Sequence, residues 1–334
     1  MIKSISLEGY GPIQKLQFDG LKNINLLIGR NGSGKTILLK ALYVAIKTIE
    51  QYRRGKDVRT DKEILADKLH WTFQARTLGN LVKKGEPSLK FHMSSQNETF
   101  EYSFGTSTIK SIQNLVNTFQ SRPNDNSIFI PAKEILSLNN IIADSRNRYA
   151  EYGFDDTYFD LANALAPTTK GRNYKVFSKA RYSLGQIIGG RLEYDTQQKE
   201  WIFRDNNNRK IEISLTSEGI KKLSIMEVLL GNHYLCDRSV IIIDEIEANL
   251  HPEMINRFLE IIVSLSKIGI QFFISTHSYF VIKNLYIIAH RDKISIPTLS
   301  FDTDGILISD LQKEMPNNPI IQESINIYKR EIDL

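Results

Sequence analysis

Residues 24–46 hold an apolar run, a glycine-rich octet and a second apolar run in direct succession, and a strand–loop–helix satisfies all three. Asn23-Ile24-Asn25-Leu26-Leu27-Ile28 is short and mostly apolar, as a buried strand is. Gly29-Arg30-Asn31-Gly32-Ser33-Gly34-Lys35-Thr36 fits G-x-x-x-x-G-K-[ST] at every position, and residues 37–46 read as a buried helix. Glycines let the backbone curl until successive N–H groups point inward at a phosphate, and the helix N-terminus adds partial positive charge. Lys35 would place its ammonium on the β- and γ-phosphates, and the Thr36 hydroxyl would ligate Mg²⁺.

Two later runs repeat one design, an apolar strand that ends in polar groups. Ser239-Val240-Ile241-Ile242-Ile243-Asp244-Glu245 runs into two acids, as buried parallel strands do when they deliver carboxylates at the C-terminal edge of an α/β sheet. Asp244 would hold Mg²⁺ through its water shell. Glu245 would accept the proton of the water that attacks the γ-phosphorus. Gln271-Phe272-Phe273-Ile274-Ser275-Thr276-His277 places His277 where it can reach the γ-phosphate, with Ser275 or Thr276 orienting neighbours. Before both runs, Ser217-Glu218-Gly219 opens a helix and offers a hydroxyl and bare backbone N–H groups, either as a small anion site or as an ordinary N-cap.

The rest of the chain frames these motifs. Residues 2–7 and 13–18 alternate apolar and polar around Gly9-Tyr10-Gly11-Pro12, a hairpin pattern that residues 89–92 and 99–104 repeat. Residues 127–134 form a strand leading into a loop, and residues 135–190 read mainly as helices carrying Tyr149, Tyr152, Phe154, Tyr158 and Phe159. A further hairpin spans residues 189–203, followed by 211–213. The helical middle lacks the sustained heptads of a long coiled-coil arm. With Cys236 as the one cysteine, no intramolecular disulfide can form, and a cytoplasmic home is expected. No apolar run approaches the ~18 residues of a membrane helix. A net charge of +5 permits contact with nucleic acid without demanding it.

In order, these residues resemble the ABC-type ATPase heads of the RecF, SMC and OLD group. The likeness covers residues 1–46 and about 210–285: phosphate loop, signature Ser217-Glu218-Gly219, Walker B into Asp244 and Glu245, the run Glu247-Ala248-Asn249-Leu250-His251-Pro252, and His277. The Glu-x-x-Leu-His-Pro run and Ser275-Thr276-His277-Ser278 are especially like OLD-type anti-phage ATPases. The resemblance implies an α/β ABC-ATPase (P-loop NTPase) head with an antiparallel β subdomain and a helical insertion. Lobe I would take residues 1–135, the insertion 135–190, the signature and Walker B lobe 191–290, and a tail 291–334. It also implies a head-to-tail dimer in which Ser217 and Gly219 of one copy touch the γ-phosphate held by the other. The sequence departs from the group in two places. Its double glycine is Glu218-Gly219 here, and the Q-loop position after residue 132 reads Lys133-Glu134, so Lys133 is either that contact or a surface lysine. About 57 residues follow His277, fewer than the ~100 of a Toprim nuclease domain. Asp302-Thr303-Asp304-Gly305 reads as a hairpin turn in preference to a metal site.

The expectation is therefore an ATPase that binds ATP and Mg²⁺ through residues 29–36, with Lys35, Glu245 and His277 catalytic and Thr36 and Asp244 on the metal. As a homodimer or higher homo-oligomer it would gate a separately encoded effector, such as a nuclease, in anti-phage defence. The alternatives are a RecF-like clamp on duplex DNA, for which Arg53-Arg54, Lys83-Lys84 and Lys221-Lys222 are candidate basic pairs, and an ATP-stabilised scaffold with little turnover. A transporter subunit fits least, and no membrane partner is expected.

Overall fold

A computed structural model describes residues 1–120, 125–147, 152–166, 174–198, 200–302 and 305–333. Tyr149, Thr303 and Asp304 lie outside the described residues. The chain opens with β1 (Ser4–Tyr10), β2 (Ile13–Phe18) and β3 (Ile24–Gly29), then α1 (Lys35–Gln51) and α2 (Asp61–Phe73). Next come β4 (Ser88–Ser94), β5 (Thr99–Gly105), β6 (Asn114–Asn117) and β7 (Ile128–Ile130). Helices α3 (Asn139–Asn147), α4 (Asp156–Ala164) and α5 (Lys175–Ile188) lead to β8 (Gly190–Asp195), β9 (Glu200–Asp205) and β10 (Lys210–Glu212). The remainder is α6 (Glu218–Gly231), β11 (Val240–Ile243), α7 (Pro252–Ser266), β12 (Gln271–Thr276), α8 (Tyr279–Asp292), β13 (Pro297–Asp302), β14 (Gly305–Asp310) and α9 (Pro319–Ile332).

Among the described residues there are three sheets, and the central one runs β14-β13-β3-β12-β11-β7. All its neighbours are parallel except the β13–β14 hairpin. A parallel sheet is buried on both faces, so its strands read as continuous apolar runs rather than alternating ones. Side chains still alternate between faces with a period of two. Leu26, Ile128, Ile130, Ile241, Ile243, Phe272 and Ile274 turn to one core, with Leu223, Met226 and Phe258. Leu27, Phe129, Ile242 and Phe273 turn to the other, with Leu39, Leu42, Phe91 and Tyr102. Each such side chain contributes about 2 kcal/mol by leaving water, and the sheet that carries the site is thereby stiffened from both sides.

The antiparallel sheet β2-β1-β4-β5-β6 covers the second core, and a small sheet β10-β9-β8 lies beyond the helices. The pairing of β1 with β4, Ile5 opposite Met93 and Leu7 opposite Phe91, crosses more than eighty residues of chain. β13 both closes the hairpin at residues 297–310 and pairs in parallel with β3, Phe301 opposite Gly29. Gly29 has a φ of 150°, and a Cβ there would lie 2.6 Å from the Phe301 carbonyl oxygen, so only glycine lets β13 run beside the phosphate loop.

One stripe of α1 is polar although the helix is nearly all buried. Thr36, Lys40, Tyr43 and Lys47 recur at helical spacing. Lys40 pairs with Asp155 at 2.5 Å, and the Tyr43 hydroxyl donates to Asp160 at 2.7 Å. From α2, Lys68 bonds both Asp156 (3.0 Å) and Asp160 (2.9 Å), and Arg146 of α3 reaches Asp156 at 2.6 Å. Buried ionic networks of this kind fix orientation more than they add stability. This one seats α4 on the helix that starts at the phosphate loop.

Candidate nucleotide site

Gly34 caps α1 with a φ of 108° and no side chain bonded to the helix's first N–H groups, which leaves them directed at the loop's hollow. The hollow is a cleft of about 170 Å³ lined by Pro12, residues 31–37 and Glu245. Lys35 is 6 % exposed, and its Nζ donates to the Gly29 (2.7 Å) and Arg30 (2.8 Å) carbonyl oxygens, which arch the loop over it. Burial pulls its pKa below that of an ordinary lysine, against the opposing pull of Asp244, Glu245 and Glu247. Larger hollows, of about 990 Å³ beside β9 and β10 and about 700 Å³ beside α5 and β8, lie away from these residues.

The ends of β11 and β12 complete the cleft. The Thr36 hydroxyl donates to Asp244 at 3.0 Å, and Ser275 Oγ donates to the other carboxylate oxygen at 2.5 Å. A hydroxyl and a carboxylate this close are a hard-oxygen pair of the kind Mg²⁺ takes together with its waters, so the residues fit the metal. Glu245 follows with a φ of 48°, the left-handed region where a non-glycine residue costs on the order of 1–3 kcal/mol. Its N–H donates to Ser275 Oγ at 2.8 Å and its carbonyl accepts from Lys222 Nζ at 2.6 Å, so the peptides on both sides of its Cα are held. Ser275 thus orients both acids.

His277 is about half exposed at the end of β12, with Nδ1 3.3 Å from Glu247 and 3.9 Å from Glu245. Its N–H donates to Glu247 Oε1, and Thr276 Oγ1 donates to Oε2, both at 2.8 Å. Glu247 therefore ties the loop after β11 to the end of β12, a role its place in the Glu-x-x-Leu-His-Pro run does not disclose.

Ser217 caps α6, its Oγ accepting from the Ile220 N–H at 3.4 Å, and neither it nor Gly219 lines the phosphate cleft. A Cβ on Gly219 would meet the Asn249 carbonyl oxygen at 2.5 Å, so the signature helix and the Leu-His-Pro loop are in backbone contact. Gly219→Ala should therefore lower stability by about 1–3 kcal/mol through overpacking, outweighing the gain of up to ~1 kcal/mol from helix propensity. Thermal melting followed by circular dichroism reads the sign, and a raised Tm would mean that the contact yields freely.

Lys221 and Lys222 are not a basic surface pair: they are 3 % and 5 % exposed. Lys221 reaches Ser137 (3.0 Å), Glu218 (2.8 Å) and Glu134 (3.5 Å), joining the signature helix to the loop after β7. Lys133 is exposed on that loop, and Glu134 and Ser137 are residues there that engage α6. Burial pushes the Lys222 ammonium down to about 8, against the attraction of Glu247, Asp244 and Glu245. A sequence signal for Lys222 exists: Ile225, Met226 and Leu229 stand three, four and seven residues on, so the position lies on an apolar helical face.

A phosphate loop and an acid pair meeting across one twisted parallel sheet, with an antiparallel sheet packed against it, are what ABC-type ATPase heads share, and this chain has their fold. It belongs to the family described as "AAA domain, putative AbiEii toxin, Type IV TA system", whose model matches residues 24–283. The DNA replication and repair protein RecF of Streptococcus agalactiae serotype Ia is 35 % identical over 96 residues, which are 28 % of this chain and 24 % of that protein. The DNA double-strand break repair Rad50 ATPase of Nanoarchaeum equitans is 32 % identical over 99 residues, 27 % of this chain and 12 % of that one. The matched stretch thus spans a quarter or less of those relatives. Among solved structures, an Smc head bound to the C-winged helix domain of ScpA superposes with a TM-score of 0.56 at 16 % identity, covering 93 % of this chain and 98 % of that one. An Smc head with an extended coiled coil, bound to the C-terminal domain of ScpA derived from Pyrococcus furiosus, gives 0.52 at 14 % identity, covering 100 % and 99 %. No helix among the described residues is long and apolar enough to cross a membrane.

Proposed function

We propose that two copies of this chain close head to tail around MgATP, hydrolyse it slowly, and through that cycle gate a separate effector. The observation that carries the reading is the division of the parts. Lys35, Thr36 and Glu245 line one cleft, with Asp244 bonded to Thr36 and His277 3.9 Å from Glu245 at its edge, while Ser217 and Gly219 do not line it. At about 170 Å³ the cleft is small beside the 300–1,000 Å³ of ordinary ligand sites. A phosphate tail fits it, and the rest of the nucleotide needs a second surface. The signature end of α6 supplies an exposed one, with Ser217 and Glu218 in solvent and Leu215 77 % exposed beside them.

In this mechanism Lys35 and the amides of residues 32–36 hold the β- and γ-phosphates. Thr36 and Asp244 hold Mg²⁺, which would offset phosphate charge when bound. Glu245 takes the proton of the attacking water, and His277 reads the γ-phosphate under the control of Glu247. The order of motifs and the Glu-x-x-Leu-His-Pro run support an OLD-like, anti-phage role, and the family description speaks of a toxin of a toxin–antitoxin system. The second reading is a RecF-like clamp on duplex DNA, favoured by the RecF and Rad50 similarities. Burial of Lys221 and Lys222 removes one basic pair from that account.

Sedimentation of the wild type with and without MgATP tests the core of the proposal. The expected result is a monomer that becomes a dimer with MgATP and reverts as ATP is consumed; a species unchanged by ATP would sink it. DNA affinity that rises with ATP and falls steeply with salt would select the clamp over the effector gate.

A further inference from the structure

Lys222 is an expensive residue for its place. Its ammonium is buried, and among the described residues no carboxylate comes within the 4.0 Å of an ion pair. Its hydrogen bond goes to a peptide carbonyl, that of Glu245. Glu247, Asp244 and Glu245 attract it from beyond that distance, yet an apolar side chain would cost the fold less than a buried cation without a contact ion pair. What the cation does there is hold the peptide after the left-handed Glu245, while Ser275 Oγ holds the peptide before it. Lys222 lies five residues after Ser217 on the same helix, about 7.5 Å along its axis. Gly219, between them, touches the Asn249 carbonyl on the same loop. The first turns of α6 thus meet the segment that carries Glu245 at two points, so a shift of α6 bears on the Glu245 backbone.

We infer that Lys222 is a positioning residue that makes the hydrolytic base of each copy answer to the nucleotide held by the other. This rests on the head-to-tail reading above. When Ser217 and Gly219 seat on the partner's γ-phosphate, α6 settles as a rigid rod, and Lys222 sets the Glu245 peptide so that its carboxylate faces the attacking water. Without that seating the base is misaimed, and ATP held by a lone copy is spared.

Lys222→Met keeps most of the length and the apolar stem but removes the donors. With the full-length protein, kcat should fall about 10²-fold, the span of a misplaced general base. Binding of a fluorescent ATP analogue should stay within twofold, the MgATP-dependent dimer should persist in sedimentation, and Tm should not fall. Lys222→Arg, which keeps a donor, should recover about tenfold of the lost rate. Adding Ser217→Ala to Lys222→Met should slow the enzyme no further than the slower single variant, because both act through one link.

Wild-type turnover in Lys222→Met would overturn the inference, as would a rate loss matched by a falling Tm and weaker nucleotide binding, or Ser217→Ala and Lys222→Met factors that multiply. A wild type that neither dimerises nor hydrolyses would instead sink the head-to-tail reading itself and the coupling with it.

Discussion

Glu245→Gln is expected to lower ATP turnover about 10³-fold, to leave nucleotide binding nearly unchanged, and to keep the protein dimeric for as long as MgATP is present. The expectation follows from where the hydrogen bonds fall. Both clamps on residue 245 act on its backbone, Ser275 Oγ at the N–H and Lys222 Nζ at the carbonyl. A glutamine of the same length therefore keeps the left-handed peptide and its supports, and loses only the ability to accept a proton. General base catalysis contributes on the order of 10²–10⁴-fold. On the proposed reading phosphate binding would draw on Lys35 and the loop amides, which the substitution does not touch. A steady-state phosphate-release assay with sedimentation velocity in MgATP reads both effects. Turnover within tenfold of wild type would mean that the base is another group. Glu247 is the nearest rival by position, but its two carboxylate oxygens already accept from Thr276 Oγ1 and the His277 N–H.

What could be read ahead of the structure was what is local. The turn between β3 and α1 is legible because eight consecutive residues carry its shape. The strands that end in Asp244-Glu245 and in Ser275-Thr276-His277 are legible because a parallel strand buried on both faces leaves a continuous apolar run. The hairpin pattern around residues 299–308 is likewise present as β13 and β14. That β13 then lies beside β3 and makes Gly29 obligatory depends on a contact across some 270 residues of chain, which no local pattern carries. Helix α2 is not placed from the sequence, although Thr60 and Glu63, which form a reciprocal capping box, are an available signal for its start. Lys221 and Lys222 show the opposite hazard. Two adjacent lysines suggest a solvated face, and the evidence that they are internal lies in their neighbours' period, Ile225, Met226 and Leu229. Glu247 was visible as part of a run, but its function comes from where β12 ends, and that is a property of the sheet.

Lys35→Ala should weaken ATP binding by about 3 kcal/mol, roughly 10²-fold, the scale of a charge-assisted hydrogen bond to a buried anion. The ammonium now donates to the Gly29 and Arg30 carbonyl oxygens, so the side chain both shapes the loop and stands ready with a further donor for phosphate. Its burial works against its charge, since the pKa is drawn below the usual lysine value. Lys35→Ala relieves that desolvated charge but leaves the Gly29 and Arg30 carbonyl oxygens without this donor, at a cost of about 1–3 kcal/mol, so its Tm should fall by only a few degrees. Affinity and folding then separate. Lys35→Arg should not restore binding, because a planar fork cannot replace a compact ammonium beneath two carbonyls. Calorimetric titration with a non-hydrolysable ATP analogue and Mg²⁺ measures the loss; an affinity within threefold of wild type would mean that the loop amides alone hold the phosphates. The decisive combination is Lys35→Ala with Glu245→Gln. If closure depends on nucleotide seated in this cleft, the double variant stays monomeric at ATP concentrations that lock Glu245→Gln into a dimer, because a trap set at the base cannot close on a phosphate that the loop has failed to hold.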